Sequence, residues 1–405
     1  MQRYALVSLM LIPQGRRQAL VRFAGVRKLP ICAPSSTPNR VDSTGMKCLP
    51  SNKMPLANGN VLHDWHAEVL AIRAFNRFLL DECLLLLTPP HASSDIIRQT
   101  SVAERTPGEH QPFTINEGIQ IHMYCSEAPC GDASMELVMD AQEDATPWTS
   151  PVPTVSPNVN NNSDPEIPSS PLALRGRSHF SHLGAVRCKP SRSDAPPTLS
   201  KSCTDKLALK QATSLLCSLT STLISPRNAY IDSLVLPESQ YVPSACKRAF
   251  SLTGRMHGLT KETENRWIGG YAWHGFTVRA TRREFAWSRR AVKKTEKPAP
   301  STLSTVWSPR WHESLIGGVL QGRKQFDPRG ASVVSRRSMW RKAAQIAVAV
   351  GVPALLEVLS NGDYGHVKMG DVLAARRQVK EDACTKGLNG WIRNIGDDEF
   401  SLDTN

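Results

Sequence analysis

The chain has 405 residues, enough for one large core with insertions or for two domains, and 49 Lys and Arg against 36 Asp and Glu leave a formal charge of +13. That excess favours a polyanionic partner, nucleic acid first, and 40% hydrophobic content suits a globular protein. Ten scattered cysteines are too sparse for a disulfide scaffold, and the longest apolar run, Ile346 to Leu356, is too short to span a bilayer, so the expectation is a reducing compartment and no membrane.

Residues 1–43 read as a divergent or poorly ordered N-terminal segment. Six Arg and one Lys precede the first acidic residue, Asp42. Arg-rich, acid-free composition also fits a mitochondrial transit peptide, so that destination stays open beside cytoplasm or nucleus. The rest, 44–405, reads as one domain. From Asp64, "DWHAEVLAIRAFNRFLLDECLLLL" spaces Val69, Ile72, Phe75 and Leu79 as a helix does, with Asp64 as N-cap. Residues 89–112 are a polar insertion. "IQIHMYCSE", 119–127, alternates as a strand, and "APCGDASMELVMDA" starts a helix at Pro129. Residues 145–172 are rich in Pro, Ser and Asn and cannot bury enough apolar surface to order themselves. "TLSKSCTDKLALKQATSLLCSL" reads as one helix opened by Ser200 or Ser202, and "YIDSLVL", 230–236, as a strand. Residues 289–301 form a basic, Pro-containing link, and "RRSMWRKAAQIAVAV" is a helix. Helices alternating with buried strands argue for an α/β domain.

Three of these helix starts carry a metal-ligand type: His66, Cys130 and Cys203. One imidazole and two thiolates suit zinc (Zn2+) in a catalytic site, where three protein ligands leave a position for water. Helix N-termini also favour the thiolate. Glu68, two residues after His66, is free to move protons. His63 reads as a structural or substrate-lining histidine, because a fourth ligand would close the site. Cys125 reads as a packed strand cysteine. H-x-E followed by P-C is the signature of zinc nucleobase deaminases, but Ala133 stands where the usual second cysteine would be. The third ligand then comes from elsewhere, with Cys203 the candidate. Lys206 follows Cys203 by three and Arg73 follows His66 by seven, so both cations share a helix face with a ligand.

"HAE", "PCGD" (129–132) and "SCTDK" (202–206), with "TGMKCL" (44–49), "NAYIDSLVLPESQY" (228–241) and "GGVLQGRKQFDPRGAS" (317–332), resemble the adenosine deaminase (editase) domain family, on its tRNA-specific, fungal-type branch. The resemblance runs from about Thr44 to the C-terminus. It implies a cytidine-deaminase-like three-layer α/β core with surface insertions, zinc ligands His66, Cys130 and Cys203, and Glu68 as the catalytic proton shuttle. The activity implied is hydrolytic conversion of adenosine to inosine in tRNA, next to the anticodon of alanine tRNA, with no protein partner implied. It further implies a buried inositol hexakisphosphate near Arg73, Lys206, Arg336, Tyr364, Lys368, Lys380 and Trp391. Ile72 and Leu209 depart from the family there, standing where editing enzymes carry Arg. Ser191, Ser193 and Phe326 stand at usual glycines. Lys47, Arg175 and Arg177, with Arg187, are the candidates for RNA contact. The alternative reading is a catalytically silent or truncated zinc-containing RNA-binding protein; the presence of Glu68 argues for the enzyme.

Overall fold

The computed structural model describes residues 2–3, 5–13, 39–91, 93–106, 108–141, 146, 174–190, 195–288, 290 and 299–402. In chain order the main elements are β1 (Leu6–Pro13), β2 (Arg40–Thr44), α1 (Ala67–Leu86), β3 (Ile119–Cys125), α2 (Met135–Asp140), α3 (Cys203–Thr213), α4 (Ser218–Leu223), β4 (Ser233–Pro237), α5 (Pro243–Phe250) and β5 (Thr277–Thr281). The C-terminal part adds β6 (Leu303–Ser308), β7 (Trp311–Ile316), β8 (Val319–Leu320), α6 (Arg336–Val350), α7 (Pro353–Ser360), α8 (Tyr364–Met369) and α9 (Ala374–Asp382). One mixed sheet of eight strands runs in the order β5-β4-β3-β1-β2-β6-β7-β8. The β3–β4 and β4–β5 pairs are parallel and the other pairs antiparallel. The architecture is thus a mixed α/β domain.

Helix α1 packs on β1, β2 and β6 and is covered in turn by α6. It is apolar nearly all round, as a helix held between two layers must be: Leu70, Ala71, Ala74, Phe75 and Leu79 are fully buried. Strand β1, "LVSLMLIP", is buried along almost its whole length because strands flank it on both sides.

Within residues 1–43, Leu6–Pro13 is a central strand and Arg40–Thr44 is its antiparallel neighbour. Residues 14–38 lie outside the described residues. So does the insertion 145–172 apart from Thr146, and so does most of 289–301. Within 89–112, Ile97–Gln99 pairs with Phe113–Ile115 as a small separate sheet, so that insertion is structured in part.

Three element boundaries also differ. α1 starts at Ala67, not after Asp64; the Asp64 carboxylate instead accepts from the His66 backbone N–H at 3.0 Å, and His66 occupies the cap position. No helix starts at Pro129. Gly131 has φ +110, outside helical space, so only a short 3₁₀ turn (Asp132–Ser134) and then α2 follow. The long helix expected over 198–219 is two, α3 and α4, broken at Ser214 with φ +58. Its cap is Ser202, whose hydroxyl accepts from Asp205 N–H. α6 follows the sequence reading, capped by Ser335 and ended by Gly351 in the left-handed region.

Candidate metal centre and active site

The starts of α1 and α3 and the turn before α2 meet. His66 precedes the first residue of α1, Cys203 is the first of α3, and Cys130 sits one residue before Gly131. His66 Nδ1 lies 3.8 Å from Cys130 Sγ and 3.6 Å from Cys203 Sγ, and all three donor atoms lie within 4.8 Å of one another. Tetrahedral zinc bonds of about 2.0–2.3 Å place neighbouring donors roughly 3.5 Å apart, so the set has the spacing a zinc ion needs. The Cys203 N–H at the head of α3 donates to Cys130 Sγ at 3.3 Å. A hydrogen bond from the Cys203 side chain, with Lys189 and His66 nearby, holds the Cys130 thiol well below its ordinary range despite burial. Burial, and then Cys130, push Cys203 up. Burial and Lys189 push His66 down, but Cys130, Cys48 and Asp64 outweigh them and lift it to about 10.

Cys48, Asp64 and His66 form a second possible donor group. Its Asp64 is already committed: the carboxylate accepts from His66 N–H, from Lys189 Nζ at 2.7 Å, from Ser200 Oγ at 2.8 Å and from Lys206 Nζ. The first group is the better metal site.

Glu68 sits in the first turn of α1 and is buried. Burial, then the charge of Cys130, raises its carboxyl pKa, which suits a group that takes up and gives back a proton. His63 is no ligand. Its Nε2 lies 2.6 Å from Asp397 Oδ2, and burial together with Arg336 lowers it to about 4, so it is a neutral donor to that carboxylate. Cys125 is fully buried on β3, as expected.

Sequence reading missed Lys189. Its Nζ joins Asp64 Oδ2 to Cys203 Sγ, at 2.7 and 3.2 Å, with the side chain only 3% exposed. Lys206 Nζ reaches the same Asp64 and also Ser200 Oγ at 2.7 Å. A hydrogen-bonded chain thus runs from Cys203 through Lys189 and Asp64 to Lys206. The lysine of "KPSRSD" was its only sequence signal, and nothing local tied it to a ligand 14 residues away.

The cations expected to gather do so in two groups. Arg336 lies 5.3 Å over the Tyr364 ring and donates to the Asp397 carbonyl at 2.7 Å; Lys368 Nζ lies 5.7 Å from the same ring and 2.8 Å from Asp398. Arg73, with Nε on the Val334 carbonyl at 2.7 Å, is close enough to Arg336 to feel its charge. In the second group Lys206 and Lys380 both act on Lys201, whose Nζ lies 5.5 Å over the Trp391 ring. Burial, then Cys188, Lys206, Asp205 and Lys380, set Lys201 at about 8. Two further cations were not foreseen. Lys210 donates to the Leu215 and Leu216 carbonyls at 3.2 and 2.8 Å, and Arg376 donates to those of Thr213 and Leu216, both at 3.0 Å. Burial, then Arg376, drives Lys210 well below its usual pKa.

Of the RNA candidates, Lys47 and Arg177 are exposed. Arg175 is half-buried, with its guanidinium on the Ala195 carbonyl. Arg187 cannot face a substrate: it is 1% exposed and its guanidinium donates to the carbonyls of Gly176, Ser178, His179 and His182 at 2.6–3.2 Å. It holds the loop between the second and third candidate ligands.

A His/Cys/Cys donor set with a glutamate two residues after the histidine defines a nucleobase deaminase. Comparison with known proteins narrows that class: residues 43–395 match the adenosine-deaminase (editase) domain, and the chain belongs to that family of hydrolytic deaminases. It is 37% identical over 361 residues to tRNA-specific adenosine deaminase 1 of Schizosaccharomyces pombe, covering 88% of this chain and 82% of that protein. Against tRNA-specific adenosine deaminase 1 of Saccharomyces cerevisiae the identity is 30% over 238 residues, 54% of this chain and 53% of that one. The double-stranded RNA-specific editase Adar of Drosophila melanogaster is 26% identical over 204 residues, 49% of this chain and 27% of that protein.

Proposed function

We propose that the protein hydrolyses adenosine to inosine in tRNA, with zinc held by His66, Cys130 and Cys203 and with Glu68 as the proton carrier, in a cytidine-deaminase-like three-layer core. The observation that carries this reading is the convergence of the three donors beside a buried glutamate. Zinc supplies Lewis acidity that makes water nucleophilic near neutral pH. Glu68 would take one proton from the attacking water and deliver it to the adenine ring, then take the remaining proton from the new C6 hydroxyl and pass it to the departing amine. Adenosine and water become inosine and ammonia. The target we assign is the adenosine 3′ of the anticodon in alanine tRNA. An anticodon-loop base is partly unstacked, which lowers the cost of moving it into a pocket. The +13 charge supports a polyanionic substrate.

The second ligand in this proposal is inositol hexakisphosphate among Arg73, Lys206, Arg336, Tyr364, Lys368, Lys380 and Trp391. Buried cations need a counter-charge. The carboxylates Asp397 and Asp398 sit at the Arg336–Lys368 end, whereas Lys210 and Arg376 donate to backbone carbonyls. Ile72 and Leu209 bring no charge, while Lys210 and Lys201 add two cations to the set.

Incubating the purified protein with total tRNA and sequencing the cDNA, in which inosine reads as guanosine, tests the activity. A guanosine signal at that adenosine is expected. tRNA left unchanged by zinc-loaded protein would turn the reading toward a silent RNA-binding protein.

A further inference from the structure

We infer that the outer edge of the sheet, strand β5, is a docking site for the phosphate backbone of the substrate RNA, through Arg279, Arg282 and Arg283. This rests on the tRNA reading above. Residues 279–297 hold eight Lys and Arg against two Glu, which is nearly half of the chain's excess charge in 19 residues. The proposed site is confined to the three arginines at the start of that run, on or just after β5. β5 pairs only with β4, so its other edge is open among the described residues. All three arginines are exposed. Arg282 has one acidic neighbour, Glu238 at 3.6 Å, and their side chains are 91% and 60% exposed, so the pair contributes little and gives way to a stronger anion. Arg279 and Arg283 have no ion-pair partner among the described residues.

The position fits the site. Thr281 pairs with Pro237, and the turn that follows β4, Glu238–Gln240, touches the segment leading to the metal centre: Gln240 Oε1 accepts from Ala128 N–H at 3.0 Å, two residues before Cys130. Tyr124 OH reaches the Arg283 carbonyl at 3.4 Å. β3, β4 and β5 are parallel, so their C-terminal ends lie together, with the Cys130 segment on one and the arginines on another. Arg279 lies on β5 and Arg283 two residues beyond its end at Thr281, so the two are offered to separate phosphates.

Charged side chains also protect an open edge from pairing with another chain. Charge reversal separates the two roles, because glutamates keep the edge charged and protected. We expect the triple variant Arg279→Glu, Arg282→Glu, Arg283→Glu to bind tRNA at least ~10-fold more weakly at 0.1 M salt. The slope of log affinity against log salt should become shallower by about two to three, close to one for each phosphate that is no longer neutralised. The variant with Lys at the same three positions should keep wild-type affinity and slope. Filter binding at four salt concentrations reads both. Unchanged affinity and slope in the charge-reversed variant overturn the docking site, as does loss of binding to anionic vesicles with tRNA binding intact. Inosine formation by the wild type is scored separately: weakened binding of the variant beside a wild type that makes no inosine removes the deaminase reading and leaves the docking surface standing.

Discussion

The roles proposed for Glu68 and Cys203 are separable, and single substitutions tell them apart. Glu68→Gln keeps the size and most contacts of the side chain but cannot cycle a proton. Zinc content should stay normal while deamination falls by at least about 10²-fold, the usual weight of positioned proton transfer. Cys203→Ala should lose the metal by elemental analysis, and Cys125→Ala, on the far side of the Cys130 turn, should keep it. His63 gives a pH signature. Its folded pKa is lowered to about 4 from 6.5, so between those values the unfolded chain binds a proton that the native state does not. Stability is therefore full above pH 6.5 and is lost as the pH falls toward 4, by up to about 3 kcal/mol for this group. His63→Gln still donates to Asp397 but does not titrate. Urea midpoints of the two proteins at pH 7 and pH 4.5 should show the smaller drop in the variant; equal drops would place the acid sensitivity elsewhere.

At the scale of elements, the sequence made the main secondary structure legible and blurred where it begins. The 3.6-residue pattern of α6 and the alternation of β3 came through because each element's apolar pattern is local. Helix starts at Asp64 and Pro129 did not, because the determining features are not propensities. Asp64 is drawn out of the cap role into bonds with Lys189, Ser200 and Lys206, from far along the chain. At Gly131 the backbone passes against Ser202: a Cβ there would lie 2.2 Å from the Ser202 hydroxyl. That close approach lets the Cys130 turn reach the head of α3. Gly131→Ala adds both that clash and the cost of a positive φ, which together should destabilise the fold by about 1–3 kcal/mol. It should also spread the Cys130–Cys203 pair. Thermal melts and zinc titration of the variant check this; a variant with wild-type melting and zinc affinity would show that the turn has slack.

On the scale of the whole molecule, the candidate donor group, the glutamate beside it and the family resemblance were readable because they sit in short strings. Two long-range features were not. The Leu6–Pro13 strand was not read as one because an apolar run has no local mark of its neighbours, which come from residues 40–44 and 119–125. The interior cations were read in part: Arg376 comes beside Lys210 only in the fold, from a helix more than 160 residues further along the chain. Lys210 offers a test whose sign depends on what fills that interior. With no anion present, a buried lysine beside Arg376 and within reach of Lys380 costs stability, and Lys210→Met should raise the melting temperature by removing a poorly solvated charge. With inositol hexakisphosphate in place, the lysine offsets phosphate charge, and the same substitution should lower it. We expect the second outcome, together with release of inositol hexakisphosphate from denatured wild-type protein, measured by mass spectrometry. A stabilised Lys210→Met protein with no released polyphosphate would mean that the cations are held by backbone carbonyls and by Asp397 and Asp398 alone.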